Sequence, residues 1–199
     1  MTPQGRVGLL PAAFNPPTLA HLGLAEAAQR QMQLGEVVFV LPRVLPHKEF
    51  DGVGFAQRLA LLQCAVEAEP SWRAAASSGG LFLEIARELR TEYAPEVELY
   101  LICGADAGER IVEWDYGAQP SIAEQLEEFQ MLVAARRGGY APPPALAGRI
   151  RSIELDENLQ AISSSQVRDA IAGGQPWRHL VPECVAAEIE AKRLYRDAS

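Results

Sequence analysis

Lysine is nearly missing from this 199-residue chain: only Lys48 and Lys192 stand among 18 basic side chains, and the rest are arginine. Acidic residues number 26, so the formal charge is −8. An acidic chain without a block of Lys/Arg lacks the field that holds a phosphate backbone or an anionic membrane, so neither nucleic acid nor membrane is an expected partner. Cysteine is scarce as well. Cys64, Cys103 and Cys184 are odd in number and far apart, with no C-x-x-C, which signals neither a zinc site nor a disulfide framework. All three read as small buried hydrophobes. No apolar run approaches the roughly 18 residues of a membrane span. The short apolar run at 7–14 contains Pro11 and enters Asn15-Pro16-Pro17 without a small-residue cleavage pattern, so it reads as a buried strand and not a signal peptide. G-x-x-x-x-G-K-[ST], G-x-G-x-x-G and G-x-S-x-G are all absent, which leaves a P-loop, a dinucleotide fingerprint and a nucleophile elbow unsupported. What remains is a cytoplasmic enzyme or binding protein, and 1–199 is long enough for a single domain with a full core.

What is present is alternation. Residues 6–11 read as a strand, 19–32 as an Ala/Leu/Gln-rich helix, and 37–41 (V-V-F-V-L) as a strand buried on both faces. Residues 55–68 read as a helix with Leu59, Leu62 and Val66 on one face, 72–76 as a weak strand, and 81–93 as a helix with Leu81, Ile85 and Leu89 at i, i+4, i+8. Three further strands are expected at 98–103, 129–134 and 150–155, then closing helices at 164–172 and 182–195, with C-terminal helices from about 163. Pro182 suits a first helical turn. The Pro-rich stretch at 138–144 reads as a surface loop. Strand and helix in alternation imply right-handed crossovers and a mostly parallel sheet, whose ligands bind at the carboxyl ends of the strands.

Four loops after strands carry candidate chemistry. In Phe14-Asn15-Pro16-Pro17-Thr18-Leu19-Ala20-His21, two prolines fix the turn, Thr18 is a candidate N-cap and His21 falls on the first helical turn, beside free backbone N–H groups. Pro46-His47-Lys48 follows the second strand and carries one of the two lysines, with Arg43 before it. Gly104-Ala105-Asp106 ends the fourth strand, with Trp114 eight residues past Asp106: a carboxylate for ribose hydroxyls or a metal, and a ring to stack on. Ile162-Ser163-Ser164-Ser165-Gln166-Val167-Arg168 opens a helix with hydroxyl and backbone donors aimed one way. Each feature alone is also what an N-cap, a solvated basic loop or a core Trp would look like.

Taken together and in this order, the loops resemble the nucleotidyltransferase superfamily, which carries a [T/H]-x-G-H motif after strand one and I-S-S-[ST]-x-[IV]-R near the end. Within it, the P-H-K loop, the G-A-D…W segment and Leu180-Val181-Pro182-Glu183 are similar to bacterial nicotinate mononucleotide adenylyltransferases. The resemblance runs from about Val7 to Glu183 and implies an α/β, Rossmann-like doubly wound fold, with helices on both faces of the sheet.

It also implies transfer of AMP from ATP to the phosphate of a mononucleotide, releasing pyrophosphate, as a step of NAD biosynthesis. His21 and Lys48 would then meet the ATP phosphates. Ser163, Ser164 and Arg168 would grip the β- and γ-phosphates, and Phe14, Asn15 and Thr18 would form the nucleotide-binding loop. Asp106 would lie near the nucleotide and Trp114 near the pyridine ring of the acceptor. Mg²⁺ is the expected cofactor, held mainly by substrate phosphates. The expected partners are ATP and a small phosphorylated acceptor, and a homo-oligomer is compatible with the chain. Three departures stand out: Pro11-Ala12-Ala13 where Gly-Gly-[ST] is usual, Ala20 in place of the motif glycine, and Ser77-Ser78-Gly79-Gly80 where Ser-Tyr-Thr precedes the third helix. They leave open a relative that binds a nucleotide without turnover, a phosphopantetheine acceptor, or CTP as donor.

Overall fold

The computed structural model describes residues 5–44, 53–135 and 139–196. Six strands form one sheet: β1 (Arg6–Pro11), β2 (Glu36–Pro42), β3 (Trp72–Ser77), β4 (Glu98–Gly104), β5 (Gln130–Ala135) and β6 (Ile150–Glu154). Their order is β3-β2-β1-β4-β5-β6 and every pairing is parallel. The main helices are α1 (Leu19–Met32), α2 (Phe55–Val66), α3 (Phe82–Arg90) and α4 (Ala105–Glu113). Two single turns follow, α5 (Ile122–Gln125) and α6 (Glu157–Gln160), and α7 (Ser164–Ala172) and α8 (Glu183–Lys192) close the chain. The weak strand expected at 72–76 is real, at the sheet edge, because its register against β2 is complete from Trp72 to Ser77.

The period of two along each strand sorts side chains onto two faces. Val7, Leu9, Val38, Val40, Leu101 and Val133 pack with Ile85, Ala86 and Leu89 of α3. Leu10, Phe39, Leu41, Tyr100, Ile102 and Leu132 pack with Leu24, Ala25 and Ala28 of α1 on the other face. At roughly 1.5–3 kcal/mol for each large apolar side chain fully buried, these two layers hold the fold. A third cluster joins α2, α7 and α8 through Leu61, Ala65, Val167, Val185, Ala186 and Ile189. It fastens the closing helices beside the sheet.

Chain direction reverses between β1 and β4. From β1 the chain steps outward through β2 to β3, then returns to lay β4 on the far side of β1. The two crossovers diverge there and leave a crevice at the carboxyl ends, where ligands of such sheets bind. Pro11 sits at this parting. Ala12 N–H donates to the Val40 carbonyl on the β2 side, so alternation turns the Pro11 nitrogen toward β4, where pairing has already ended at Leu9. The missing N–H of Pro11 therefore costs no ladder bond.

Two expectations need correction. Only Cys103 is a buried hydrophobe; Cys64 is part-exposed and Cys184 exposed, because α8 turns Val185 and Ala186 inward instead. Helices α2, α3 and α8 end earlier than the periodicity suggested, α8 because Arg193 takes the left-handed conformation at φ 54° and stops the helix. No helix among the described residues is long and apolar enough to cross a membrane.

Candidate active site

The crevice holds a cleft of about 1170 Å³, lined by the loop after β1, the start of α7, and the facing parts of α3 and α4. Residues 12–15 of the loop after β1 line it. Three carbonyls of this loop are tied down, from two helices. Arg58 Nη1 of α2 donates to the Ala13 carbonyl (2.8 Å), Arg168 Nη1 of α7 to that of Asn15 (2.7 Å), and Ser164 Oγ to that of Pro16 (2.7 Å). The Asn15–Pro16 peptide is cis, and Phe14 sits at φ 43° with its side chain fully buried. A left-handed non-glycine residue costs of order 1–3 kcal/mol and persists only where its surroundings over-determine it. Here the three carbonyl bonds and the Phe14 ring, packed 6.0 Å from Phe39, do so. Asn15 is only 4% exposed, lines the cleft, and its Oδ1 has no hydrogen-bond partner among the described residues. A buried acceptor left open at a cleft is a socket for a ligand N–H or O–H.

His21 stands on the first turn of α1, where Thr18 is the N-cap. The backbone N–H of Thr18 donates to His21 Nδ1 at 3.0 Å, and Thr18 Oγ1 lies 2.8 Å from the same nitrogen. An N–H donor at Nδ1 requires that nitrogen to be unprotonated, so the neutral ring carries its hydrogen on Nε2. Phe14 packs at 5.0 Å between ring centroids. Burial lowers the imidazole to about 4 from its ordinary 6.5, so at neutral pH His21 lines the cleft as a neutral donor of fixed tautomer. The expected N-cap and the expected site residue are one construction: the cap bond orients the ring.

Helix α7 presents its N-terminus to the same cleft. Ser163 caps it, its Oγ accepting from Gln166 N–H at 3.1 Å. Ser164 spends its hydroxyl on Pro16, and Arg168, one turn in, also meets Ser165 Oγ at 3.3 Å. The unbonded N–H groups of the first turn and the Arg168 guanidinium make this end electropositive. Ser163, Ser164 and Arg168 thus line the cleft together with Asn15 and His21, whereas Thr18, expected to bind nucleotide, is fully buried and meets the site only through His21.

The other half of the cleft is built on α4. Gly108 lets this helix lie against the sheet: a Cβ there would come within 2.9 Å of Val133 Cγ1. Asp106, Arg110 and Trp114 all line the cleft at i, i+4, i+8, so they share one face. Trp114 is 49% exposed and therefore not a core residue. Glu84 and Arg87 of α3 line the cleft too. Glu84 Oε2 accepts from the N–H groups of Gly80 and Leu81, each at 3.0 Å, and Glu88 holds Ser78. The Ser77-Ser78-Gly79-Gly80 departure is therefore a loop whose donors are met by the chain's own carboxylates.

Sequence reasoning singled out Asp106 and Trp114 but missed Arg110, which the four-residue spacing between them would have flagged. It also missed Arg58, whose role depends on a contact 45 residues away in the chain. Lys48 lies outside the described residues. Among the described residues no group of three or more His, Cys, Asp or Glu could hold a metal ion. The cleft offers Asp106 and Glu84 as separate carboxylates.

Comparison with known proteins agrees with this geometry. A model of the cytidylyltransferase-like family matches residues 9–170. A protein of Citrifermentans bemidjiense, named a probable nicotinate-nucleotide adenylyltransferase, is 32% identical over 97% of this chain and 99% of its own. One from Moorella thermoacetica with the same name is 31% identical over 98% of this chain and 94% of its own. Among solved structures, nicotinic acid mononucleotide adenylyltransferase of Plasmodium falciparum complexed with NaAD superposes with a TM-score of 0.75 at 15% identity, covering 96% of this chain and 98% of that one. The same protein complexed with APC gives 0.72 at 14%, with the same coverage. At such low identity the structural likeness speaks for the fold, and the sequence relatives for the lineage. With a crevice at the strand reversal, a histidine oriented by its own helix cap and a serine-led helix facing it, the chain belongs to the cytidylyltransferase-like family of nucleotidyltransferases.

Proposed function

We propose that this enzyme transfers AMP from ATP to the phosphate of nicotinate mononucleotide, releasing pyrophosphate, in the cytoplasm as a step toward NAD. The observation that carries the reading is the two-ended cleft. One end has the α7 N-terminus, Arg168 and the Nε2 donor of His21, and the other has the half-exposed Trp114. Its volume suits a triphosphate and a mononucleotide side by side.

The acceptor phosphate is already an anion at neutral pH and needs no strong base. The site must hold two polyanions in line and receive the charge that builds on the departing pyrophosphate. His21 supplies a hydrogen bond to the transferring phosphate without adding a proton-transfer step, since burial keeps it neutral. Ser163, Ser164 and Arg168 hold the β- and γ-phosphates at the α7 N-terminus, and Lys48 adds its charge to the same phosphates. The open Oδ1 of Asn15 takes a donor from the nucleotide, and Asp106 takes a ribose hydroxyl. Phe14 contributes by fixing the loop and packing on His21, and Thr18 by holding the histidine. Trp114 stacks on the pyridine ring. Mg²⁺ fits a site of scattered carboxylates because it keeps its waters and takes phosphate oxygens in preference to a protein cage. It would neutralise charge on the triphosphate, with Asp106 the carboxylate at hand.

The deciding experiment is pyrophosphate release from ATP and from CTP with nicotinate mononucleotide, nicotinamide mononucleotide and phosphopantetheine in turn. Release with ATP and nicotinate mononucleotide is expected. Binding of ATP by calorimetry with no release from any acceptor would make this a nucleotide-binding protein without turnover. Preference for phosphopantetheine or CTP would reassign the acceptor or the donor.

A further inference from the structure

Among the arginines that line the cleft, two are already engaged. Arg168 is tied to the Asn15 carbonyl at the phosphate end of the cleft, and Arg87 makes a two-pronged pair with Glu128 at 2.6 and 3.0 Å. Arg110 differs. Its Nε donates to the carbonyl of Asp106, four residues back at 3.0 Å, which lays the side chain along the cleft-lining face of α4. Among the described residues no carboxylate pairs with its two terminal nitrogens. Two backbone donors on the facing side, the N–H groups of Gly80 and Leu81, are taken by Glu84.

Trp114 is the C-cap of α4, and four residues span about 6 Å of helix axis. Arg110 therefore stands one turn from Trp114 and one turn from Asp106. A planar ring stacked on Trp114 brings a substituent in its own plane within the length of an arginine side chain. A guanidinium presents two parallel N–H donors, the match for a carboxylate, and a carboxamide offers only one acceptor to that fork.

We propose that Arg110 reads the charge of the acceptor ring, pairing with a ring carboxylate and so setting preference for an acidic over an amide acceptor. The inference rests on the acceptor reading above. Arg110 is a specificity residue and takes no part in the phosphoryl chemistry at the far end of the cleft.

The test compares nicotinate and nicotinamide mononucleotide, which differ only in that substituent, as acceptors for the wild type, Arg110→Gln and Arg110→Lys. In Arg110→Gln, kcat/KM for the acid is expected to fall at least tenfold through KM. Values for the amide and KM for ATP should stay within twofold, so that the acid/amide ratio collapses. Arg110→Lys should recover part of the ratio by keeping the charge without the fork. An equal fall for both acceptors would mean that Arg110 meets the sugar phosphate or supports the fold, and would overturn the proposal. So would an unchanged ratio. Wild-type protein that turns over neither acceptor would sink the activity reading and this one together, whereas turnover with an unaltered ratio in Arg110→Gln sinks this one alone.

Discussion

Arg168 Nη1 donates to the main-chain carbonyl of Asn15 at 2.7 Å, joining the last sequence motif to the first across 153 residues. The bond sets the distance between the electropositive start of α7 and the loop that carries His21. Arg168→Lys keeps the charge but loses the fork that meets Asn15 and Ser165 together. We expect kcat/KM for ATP to fall about 100-fold, with a loss of about 1 kcal/mol in urea unfolding, since one hydrogen bond is worth about that. Steady-state kinetics beside a denaturation curve checks both numbers. An activity loss matched by unfolding would remove the residue from the site.

His21→Asn separates the two jobs of this side chain. The Asn oxygen can replace Nδ1 as acceptor for the Thr18 N–H, but nothing replaces the Nε2 donor. The fold should survive while kcat falls about 10²–10³-fold, the usual cost of losing one oriented transition-state donor. His21→Ala removes the cap as well, and should add about 1 kcal/mol of instability. Pyrophosphate release under saturating substrates reads the first effect and thermal unfolding the second.

The lowered basicity of His21 gives the protein a pH-dependent stability. Between about 4, its folded value, and 6.5, the unfolded chain holds a proton at this ring that the folded chain does not. Stability therefore rises with pH through that window, and is lost as pH falls. The loss is up to roughly 3 kcal/mol, the full shift being an upper bound for a ring that keeps some contact with solvent. Urea unfolding of the ligand-free protein at pH 7 and at 4.5 should show a drop that is smaller in His21→Asn. Equal drops in the two proteins would contradict the assignment.

Trp114 is half exposed at the C-cap of a helix that other residues anchor, so Trp114→Ala should leave the melting temperature nearly unchanged. Its effect should fall on the acceptor: KM for the mononucleotide rises about tenfold, the worth of one stacked ring, while KM for ATP holds. Trp114→Phe should recover most of it.

The two lysines make a paired test. Lys192 forms an exposed i, i+4 pair with Glu188 at 2.6 Å, of a kind worth a few tenths of a kcal/mol, and its replacement by alanine should change little. Lys48→Ala should leave the fold intact and raise KM for ATP about tenfold or more. Equal behaviour of the two variants would remove Lys48 from phosphate handling.

Much of the fold is legible because most strands are short apolar runs and the main helices are long and periodic. Strand 6–11 and helices 19–32 and 164–172 have the limits that local pattern suggests, each bounded by residues with a plain reason to start or stop there. Helix α4 was not seen as a helix. Ala105, Ala107, Ile111 and Val112 pack it against the core, but two of these are alanine and Gly108 carries no side chain, so its apolar side is thin in large residues. The single-turn helices α5 and α6 are too short to have a period.

At the site, the motifs showed which residue types were present, and each had a bland reading beside it. Thr18 as a cap and His21 as a site residue looked like alternatives, and the 3.0 Å cap bond makes them one device. Trp114 could have been core, and its exposure in the cleft decides otherwise.

By itself the sequence determined the parallel α/β alternation, the position of the reactive loops after strands, and the pairing of a histidine loop with a serine-arginine helix. These are local matters of period, capping and motif. Tertiary structure alone decided that Arg58, Ser164 and Arg168 hold successive parts of one loop, that Glu84 closes the donors ahead of α3, and that Arg110 and Trp114 line the same cleft as His21. The reason is that a side chain's use depends on which partner packing brings within about 3 Å, and no spacing along the chain records a contact made across the sheet.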